Sequence, residues 1–171
     1  MANFLLVVAL IFVFFLILFA FVPTMFFWGA VFLPTKKETV KKMITLARVK
    51  PGEKAVDLGA GDGRLVIALA KAGAEAHGFE INPILVLLAR INILRARLKG
   101  KAFIHCNNFW KENFSEFDIV TVFGIGQIMK QLETKLEQEL KTKARVVSNG
   151  FSFPNWPLSQ KEAGIYLYEK I

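Results

Sequence analysis

Lys54-Ala55-Val56-Asp57-Leu58-Gly59-Ala60-Gly61-Asp62-Gly63-Arg64 is an apolar β-strand that runs directly into three glycines at alternate positions. A helical pattern follows, through about Lys71. Glycine accepts positive φ and leaves the main chain bare, so a ligand can lie against such a turn. The helix behind it is expected to aim free N–H groups at whatever occupies the turn. A dinucleotide fingerprint would read G-x-G-x-x-G. Here Gly63 comes one residue early and Arg64 holds the expected place. Asp57, at the carboxyl end of the strand, would repel a pyrophosphate. It suits a ligand with an ammonium or another positive charge.

A second strand-like run over residues 75–80 ends on Glu80. A carboxylate there can accept both hydrogen bonds of a ribose diol. Strand, glycine turn, helix and acid in register predict a nucleoside ligand; a solvated Glu80 beside an ordinary turn leaves that register unexplained.

Asn82-Pro83 starts a helix rich in Ile and Leu that extends to about Leu98. Residues 101–105 read as a third strand, and 117–123 (FDIVTVF) as a fourth, apolar enough to be central in a parallel sheet. Over 127–140, Ile128, Leu132, Leu136 and Leu140 stack at i+4 on an amphipathic helix whose charged face is expected to be solvated. Residues 144–151 and 165–169 are the last two strands. Upstream, Thr35 and Glu38 have the spacing of a capping box. Val40, Met43, Ile44 and Ala47 then give a helix its apolar face, and Pro51-Gly52 ends it. Strands alternating with helices predict an α/β domain with a Rossmann-like, doubly wound, mostly parallel sheet. The short C-terminus predicts fewer than seven strands.

Residues 1–33 carry no charge, and Phe4–Val22 (FLLVVALIFVFFLILFAFV) is an unbroken apolar run. Such a run crosses ~30 Å of hydrocarbon at about 1.5 Å per residue. A signal peptide would want a basic start, which Met-Ala-Asn lacks. Residues 1–33 are therefore expected to be a retained, single-pass membrane anchor and 34–171 the α/β domain. Met25–Leu33 either extends the span or lies in the interface, where Trp28 suits the head-group level. Lys36, Lys37, Lys41, Lys42, Arg48 and Lys50 follow, which places the domain on the cytoplasmic side. The net charge of +8 then fits anionic lipid better than nucleic acid. No basic surface interleaved with aromatics argues for RNA. Cys106 is the one cysteine, and with His77 and His105 as the two histidines no metal site is expected.

The run 56–64 with Glu80 resembles the class I, seven-β-strand S-adenosylmethionine-dependent methyltransferases. The resemblance implies S-adenosylmethionine as cofactor. Asp57 would face its ammonium group, and Gly59, Ala60, Gly61 and Gly63 would lie against methionine and ribose. Glu80 would hold the diol, with Ile81 against the adenine face and Asn82 beside it. After strand three, class I enzymes usually place an acid that accepts from the adenine amino group. Cys106-Asn107-Asn108-Phe109 stands there, with Asn108 in the acid's place and Phe109 next to it. Phe123-Gly124-Ile125-Gly126-Gln127 occupies the position of the Asn/Asp-Pro-Pro-aromatic tetrad used to methylate amino groups of adenine, cytosine or glutamine, which disfavours that chemistry.

Further segments resemble a smaller group of membrane-anchored class I enzymes, which includes the mitochondrial lysine methyltransferases of the adenine nucleotide translocase and the ATP synthase c-subunit. They are Pro34-Thr35, Glu80-Ile81-Asn82-Pro83, Phe123-Gly124…Gln127-Ile128-Met129 and Phe151-Ser152-Phe153-Pro154-Asn155-Trp156-Pro157. The resemblance covers roughly 34–158 and implies methyl transfer to a lysine ε-amine of a membrane protein. Aromatic rings and carbonyls suit an approaching amine, so Phe153, Pro154, Asn155 and Trp156 are substrate-side candidates, with Glu38 near the pocket mouth. A proline-rich turn with a packing tryptophan, and a helix cap at Glu38, account for the same residues equally well. No general base is identified. Two other functions fit the same motifs: methyl transfer to a lipid or quinone-like molecule in the membrane, and a cofactor-binding membrane assembly factor without turnover.

Overall fold

Val56, Leu58, Val120, Val122 and Val146 are all buried because their strands fill the middle of one sheet. The computed structural model describes residues 7, 8, 10–16 and 33–171. The chain divides into two units, Met1–Phe32 and Leu33–Ile171. In the first, the described residues are helical and expose large apolar side chains. Among the described residues no helix is long and apolar enough to cross a membrane. Much of the Phe4–Val22 run, and Met25–Phe32 with Trp28, lie outside the described residues.

The second unit runs α1 (Lys37–Ala47), β1 (Lys54–Leu58), α2 (Arg64–Lys71), β2 (Glu75–Glu80), α3 (Pro83–Arg95), β3 (Ala102–Cys106), β4 (Ile119–Val122), α4 (Gly126–Glu139), β5 (Arg145–Asn149), β6 (Gln160–Glu162) and β7 (Ile165–Glu169). A 3-10 turn at Phe109–Lys111 follows β3. The strand order is β3-β2-β1-β4-β5-β7-β6, with β1 to β5 parallel. β7 is antiparallel to β5, and β6 to β7. The winding reverses between β1 and β4, which opens a crevice at their carboxyl ends.

Alternate residues on the strands build two cores. On one face Ala55, Ala76, Ile119 and Val147 pack under Met43, Leu69, Val86 and Ile93 of α1, α2 and α3. On the other, Val56, Val120 and Val146 meet Leu132 and Leu136 of α4 with Phe114, Phe153 and Trp156. Buried Arg145 closes the end of α1, donating to the carbonyls of Ala47 at 2.7 Å and Arg48 at 2.6 Å, which a helix leaves without partners.

Three expectations need correction. The sheet has seven strands, not fewer. β6 is a short, exposed polar edge formed by pairing with β7 across Ala163-Gly164, both at positive φ as a two-residue hairpin turn requires. The capping box does not form: Lys36 is the N-cap, without a side-chain hydrogen bond. Thr35 is buried instead and its carbonyl accepts from Arg64 Nη1 at 2.6 Å. Nor is the polar face of α4 wholly solvated, since Glu133 is 2% exposed.

Candidate functional site

Asp57 lies in register between Gly78 of β2 and Thr121 of β4. Gly78 must be bare: a Cβ there would sit 2.7 Å from Ala60 Cβ and from Val66 Cγ2. Asp57 is 3% exposed, and Thr121 Oγ1 donates to its Oδ1 at 2.7 Å. Burial pushes the Asp57 carboxyl up to about 7; the Thr121 hydrogen bond opposes this, and the charges of Glu80 and Asp62 add to it. A carboxylate held in this way gains more than an exposed one from a cation brought beside it.

The glycine turn directs its own donors inward. Gly59 and Ala60 N–H both donate to the Phe79 carbonyl, at 2.9 and 3.0 Å. Gly61 N–H donates to Glu80 Oε2 at 2.9 Å, and Gly63 N–H to the Ala60 carbonyl at 2.9 Å. Arg64 N–H goes to Asp62 Oδ1 at 3.3 Å. The N–H groups of Leu65 and Val66, in the first turn of α2, take no acceptor among the described residues, as a helix start leaves them. The donors of Gly59, Ala60, Gly61 and Gly63, which a phosphate cradle would need unpaired, are spent within the fold. What the turn presents instead is bare backbone at Gly59, where φ is +77° and nothing lies within 4 Å of a Cβ position. Two carboxylates border that surface.

Arg64 explains the odd spacing of the motif. Its Nε and Nη2 donate to Asp62 Oδ1 at 2.9 Å and Oδ2 at 2.6 Å, while Nη1 holds the Thr35 carbonyl. Burial works against the Asp62 charge, but these bonds hold its carboxyl below the usual range. Asn92 Nδ2 donates to the Asp62 carbonyl at 3.0 Å, so the turn is stapled to α3 as well.

Glu80 is fixed at the rim by the Gly61 bond and by Asn82 N–H, which donates to Oε1 at 2.9 Å. Each carboxylate oxygen keeps a further lone pair. Asn82 Oδ1 accepts from Ile84 N–H at 2.9 Å and caps α3, and Ile81 is exposed beside it. The structure therefore brings Asp57, Gly59, Ala60, Gly61, Gly63, Glu80, Ile81 and Asn82 around the ends of β1 and β2. Asn108 departs from its expected role. Its Oδ1 accepts from Trp110 N–H at 3.1 Å and caps the 3-10 turn. The neighbouring Asn107 N–H is the group that reaches Glu80, donating to its carbonyl at 3.1 Å. Phe109 is half-buried against Trp110, with ring centroids 4.9 Å apart.

Of the two readings left open for Phe153 and Trp156, their rings follow the packing one. Both rings are buried against Tyr168, at 4.9 and 5.8 Å between centroids. Phe153 N–H donates to Tyr168 Oη at 3.0 Å. Glu133 holds the segment from below: its carboxylate accepts from Asn155 N–H at 2.7 Å, from Trp156 N–H, and from Asn155 Nδ2 at 3.1 Å. Pro154 and Asn155 remain exposed. Glu38 is exposed in the first turn of α1 and makes no hydrogen bond or ion pair among the described residues.

Sequence reasoning passed over Thr121, a lone polar residue in an otherwise apolar strand. It also passed over Glu133, which falls at i+4 from Met129 and so on the buried side of α4. The apolar rim at the ends of β4 and β5 consists of Phe123, Ile125 and Phe151, all partly exposed. A Cβ at Gly150 would lie 3.3 Å from the Phe123 ring, and one at Gly126 3.8 Å from that of Phe151. Among the described residues no group of three or more His, Cys, Asp or Glu is placed to hold a metal ion.

Comparison with known proteins agrees with this geometry. The family model of the ANTKMT methyltransferase domain matches residues 57–160. A Homo sapiens ATP synthase c-subunit lysine N-methyltransferase is 42% identical over 125 residues, covering 73% of this chain and 53% of that protein. A protein-lysine N-methyltransferase of Saccharolobus islandicus is 37% identical over 127 residues, covering 73% of this chain and 79% of that protein. The chain thus spans about half the length of the human relative it matches. Among solved structures, an RNA methyltransferase from Salinibacter ruber in complex with S-adenosyl-L-homocysteine superposes with a TM-score of 0.75 at 30% identity, covering 81% of this chain and 92% of that one. By these matches, and with a cofactor rim built as described, the chain belongs to the ANTKMT methyltransferase domain family.

Proposed function

We propose that this protein is an S-adenosylmethionine-dependent protein-lysine N-methyltransferase, tethered to a membrane by residues 1–33 and acting on a lysine ε-amine of a membrane protein. The observation that carries the cofactor is the turn at Gly59–Gly63, where the N–H groups of Gly59, Ala60, Gly61 and Gly63 are used within the fold while Asp57 and Glu80 border its bare face. Two carboxylates at that surface favour a cationic nucleoside over a pyrophosphate. When bound, S-adenosylmethionine supplies an electrophilic methyl group on a sulfonium. Asp57 would hold the ammonium end, Gly59, Ala60 and Gly61 the methionine and ribose, Glu80 the diol and Ile81 one adenine face. Asn107, Asn108 and Phe109 would form the far wall. The lysine preference rests on the two lysine methyltransferase relatives, one of them matched over most of its length. An incoming amine must be neutral and held in line, so positioning and exclusion of water are the protein's main contributions. Phe123, Ile125 and Phe151 would supply that apolar surround.

The test is mass spectrometry of membranes from cells lacking the gene, incubated with the purified full chain and methyl-deuterated cofactor. Label on a lysine of a membrane protein is expected. Label only in lipid extract would support a membrane-dissolved small-molecule acceptor, and label only in RNA would favour the acceptor class of the Salinibacter neighbour. Either outcome overturns the lysine assignment.

The Asp57 carboxyl gives this proposal a pH signature. Bringing an ammonium beside a group that titrates at about 7 expels its proton. Protons compete with ligand below that pH, so S-adenosylhomocysteine should bind about tenfold more weakly at pH 6 than at pH 8 and level off above. Calorimetry at pH 7 in two buffers of different ionisation enthalpy should register release of about half a proton. Flat affinity with no proton release would remove Asp57 from the ammonium site.

A further inference from the structure

α3 is apolar on both of its faces. Val86, Ala89 and Ile93 are buried against α2 and the sheet. Ile84, Leu87, Leu88, Ile91 and Leu94, at i, i+3, i+4, i+7 and i+10, form a second stripe that faces outward. Ile84 and Leu87 are each 60% exposed and Leu94 is 61% exposed. A helix that is hydrophobic all round is ordinarily covered on every side, and a stripe this continuous marks an interaction surface. Arg90, Arg95, Arg97, Lys99 and Lys101 border its far end, all exposed, and no acidic residue occurs between Glu80 and Glu112. Among the described residues, none of these five cations enters an ion pair.

We infer that the outer face of α3 lies in the interface of an anionic bilayer, with the Ile and Leu side chains among the acyl chains and the basic cluster on the head groups. An apolar stripe bordered by unpaired Arg and Lys is the pattern of a helix lying in the membrane plane. Charge decides among the occupants. Residues 1–33 carry no charged side chain and would leave the cations unanswered. A second copy packed through the same face would bring no acid to meet the cations, since residues 81–111 contain none. An anionic head-group layer answers both the apolar stripe and the charge. Because α3 starts three residues beyond Glu80, with exposed Ile81 and Ile84 at its head, this contact sets the cofactor rim close to the lipid surface. It rests on the proposed membrane location but not on the lysine assignment.

The test uses the full chain with phosphatidylcholine vesicles, with and without phosphatidylglycerol. A Cys106→Ser background carries a fluorophore at Leu87→Cys or, as reference, at Gln138→Cys on the exposed side of α4. Flotation reports membrane association, doxyl-labelled lipid reports depth, and S-adenosylhomocysteine binding confirms the fold of each variant. The label at 87 should be quenched in anionic vesicles while the label at 138 is not. Reversing Arg95, Arg97 and Lys99 to Glu should cut that quenching by about threefold or more, since each Lys or Arg near an anionic surface contributes on the order of a fivefold factor. Equal quenching at both positions overturns the proposal. So does a label at 87 shielded from both doxyl lipid and aqueous iodide, because protein then covers the face. A chain that does not float overturns this contact together with the proposed anchor. Methyl transfer is not read, so the lysine assignment stands or falls separately.

Discussion

Glu80→Ala is expected to weaken S-adenosylhomocysteine binding by about 10²- to 10⁴-fold, because two hydrogen bonds to a charged group are lost at about 1.5–3 kcal/mol each. The same truncation releases Gly61 N–H and Asn82 N–H, which the carboxylate now orders at 2.9 Å each. The turn and the head of α3 therefore lose their common fixture along with the ligand's. Glu80→Gln keeps the shape but sets an amide NH2 against one of those donors, and an intermediate loss follows. Calorimetric titration checks both variants, with thermal melting to show that the fold persists. Unchanged affinity in Glu80→Ala would mean that the ligand does not use this carboxylate.

A different kind of damage is expected from Glu133→Ala. This side chain is 2% exposed and accepts from the backbone N–H groups of Asn155 and Trp156 and from Asn155 Nδ2. Its removal leaves two backbone donors without partners under the Phe153–Trp156–Tyr168 cluster, at about 1–3 kcal/mol each. A loss of that size should lower the melting temperature by on the order of 10 °C. Hydrogen exchange should accelerate at the Asn155 and Trp156 amides before it does in β4 or β5. Cofactor affinity should change little, since Glu133 makes no contact with the glycine turn. A variant that melts with the parent and keeps both amides protected would contradict the clamp.

These two residues also show what could be read from the chain and what could not. Glu80 was legible because it ends a strand directly after a glycine turn, and local order alone puts the two together. β1, the turn, α2 and β2 followed from the same stretch. Asn82-Pro83 announced α3 correctly, since a capping side chain and a proline at N1 act locally. Glu133 was hidden because a charged residue on an amphipathic helix reads as solvated, and only the returning segment at 154–156 supplies its partners. Trp156 and Phe153 stayed open between pocket and packing for the same reason: Tyr168, which buries them, lies on a strand further along the chain. The capping box at Thr35 lost to a tertiary contact with Arg64. β6 has no apolar pattern of its own and exists through β7 and the Ala163-Gly164 turn. The exposed stripe of α3 was the least legible feature, because apolar residues on every side predict burial and say nothing of a lipid partner.

The ligand that the glycine turn accepts decides between a methyl donor and a redox coenzyme. Calorimetric titration of the purified full chain with S-adenosylhomocysteine and, separately, with NADH addresses it directly. Stoichiometric binding of S-adenosylhomocysteine, strengthened from pH 6 to pH 8, with no uptake of NADH, is the predicted result. Tight NADH binding with no response to S-adenosylhomocysteine would contradict it.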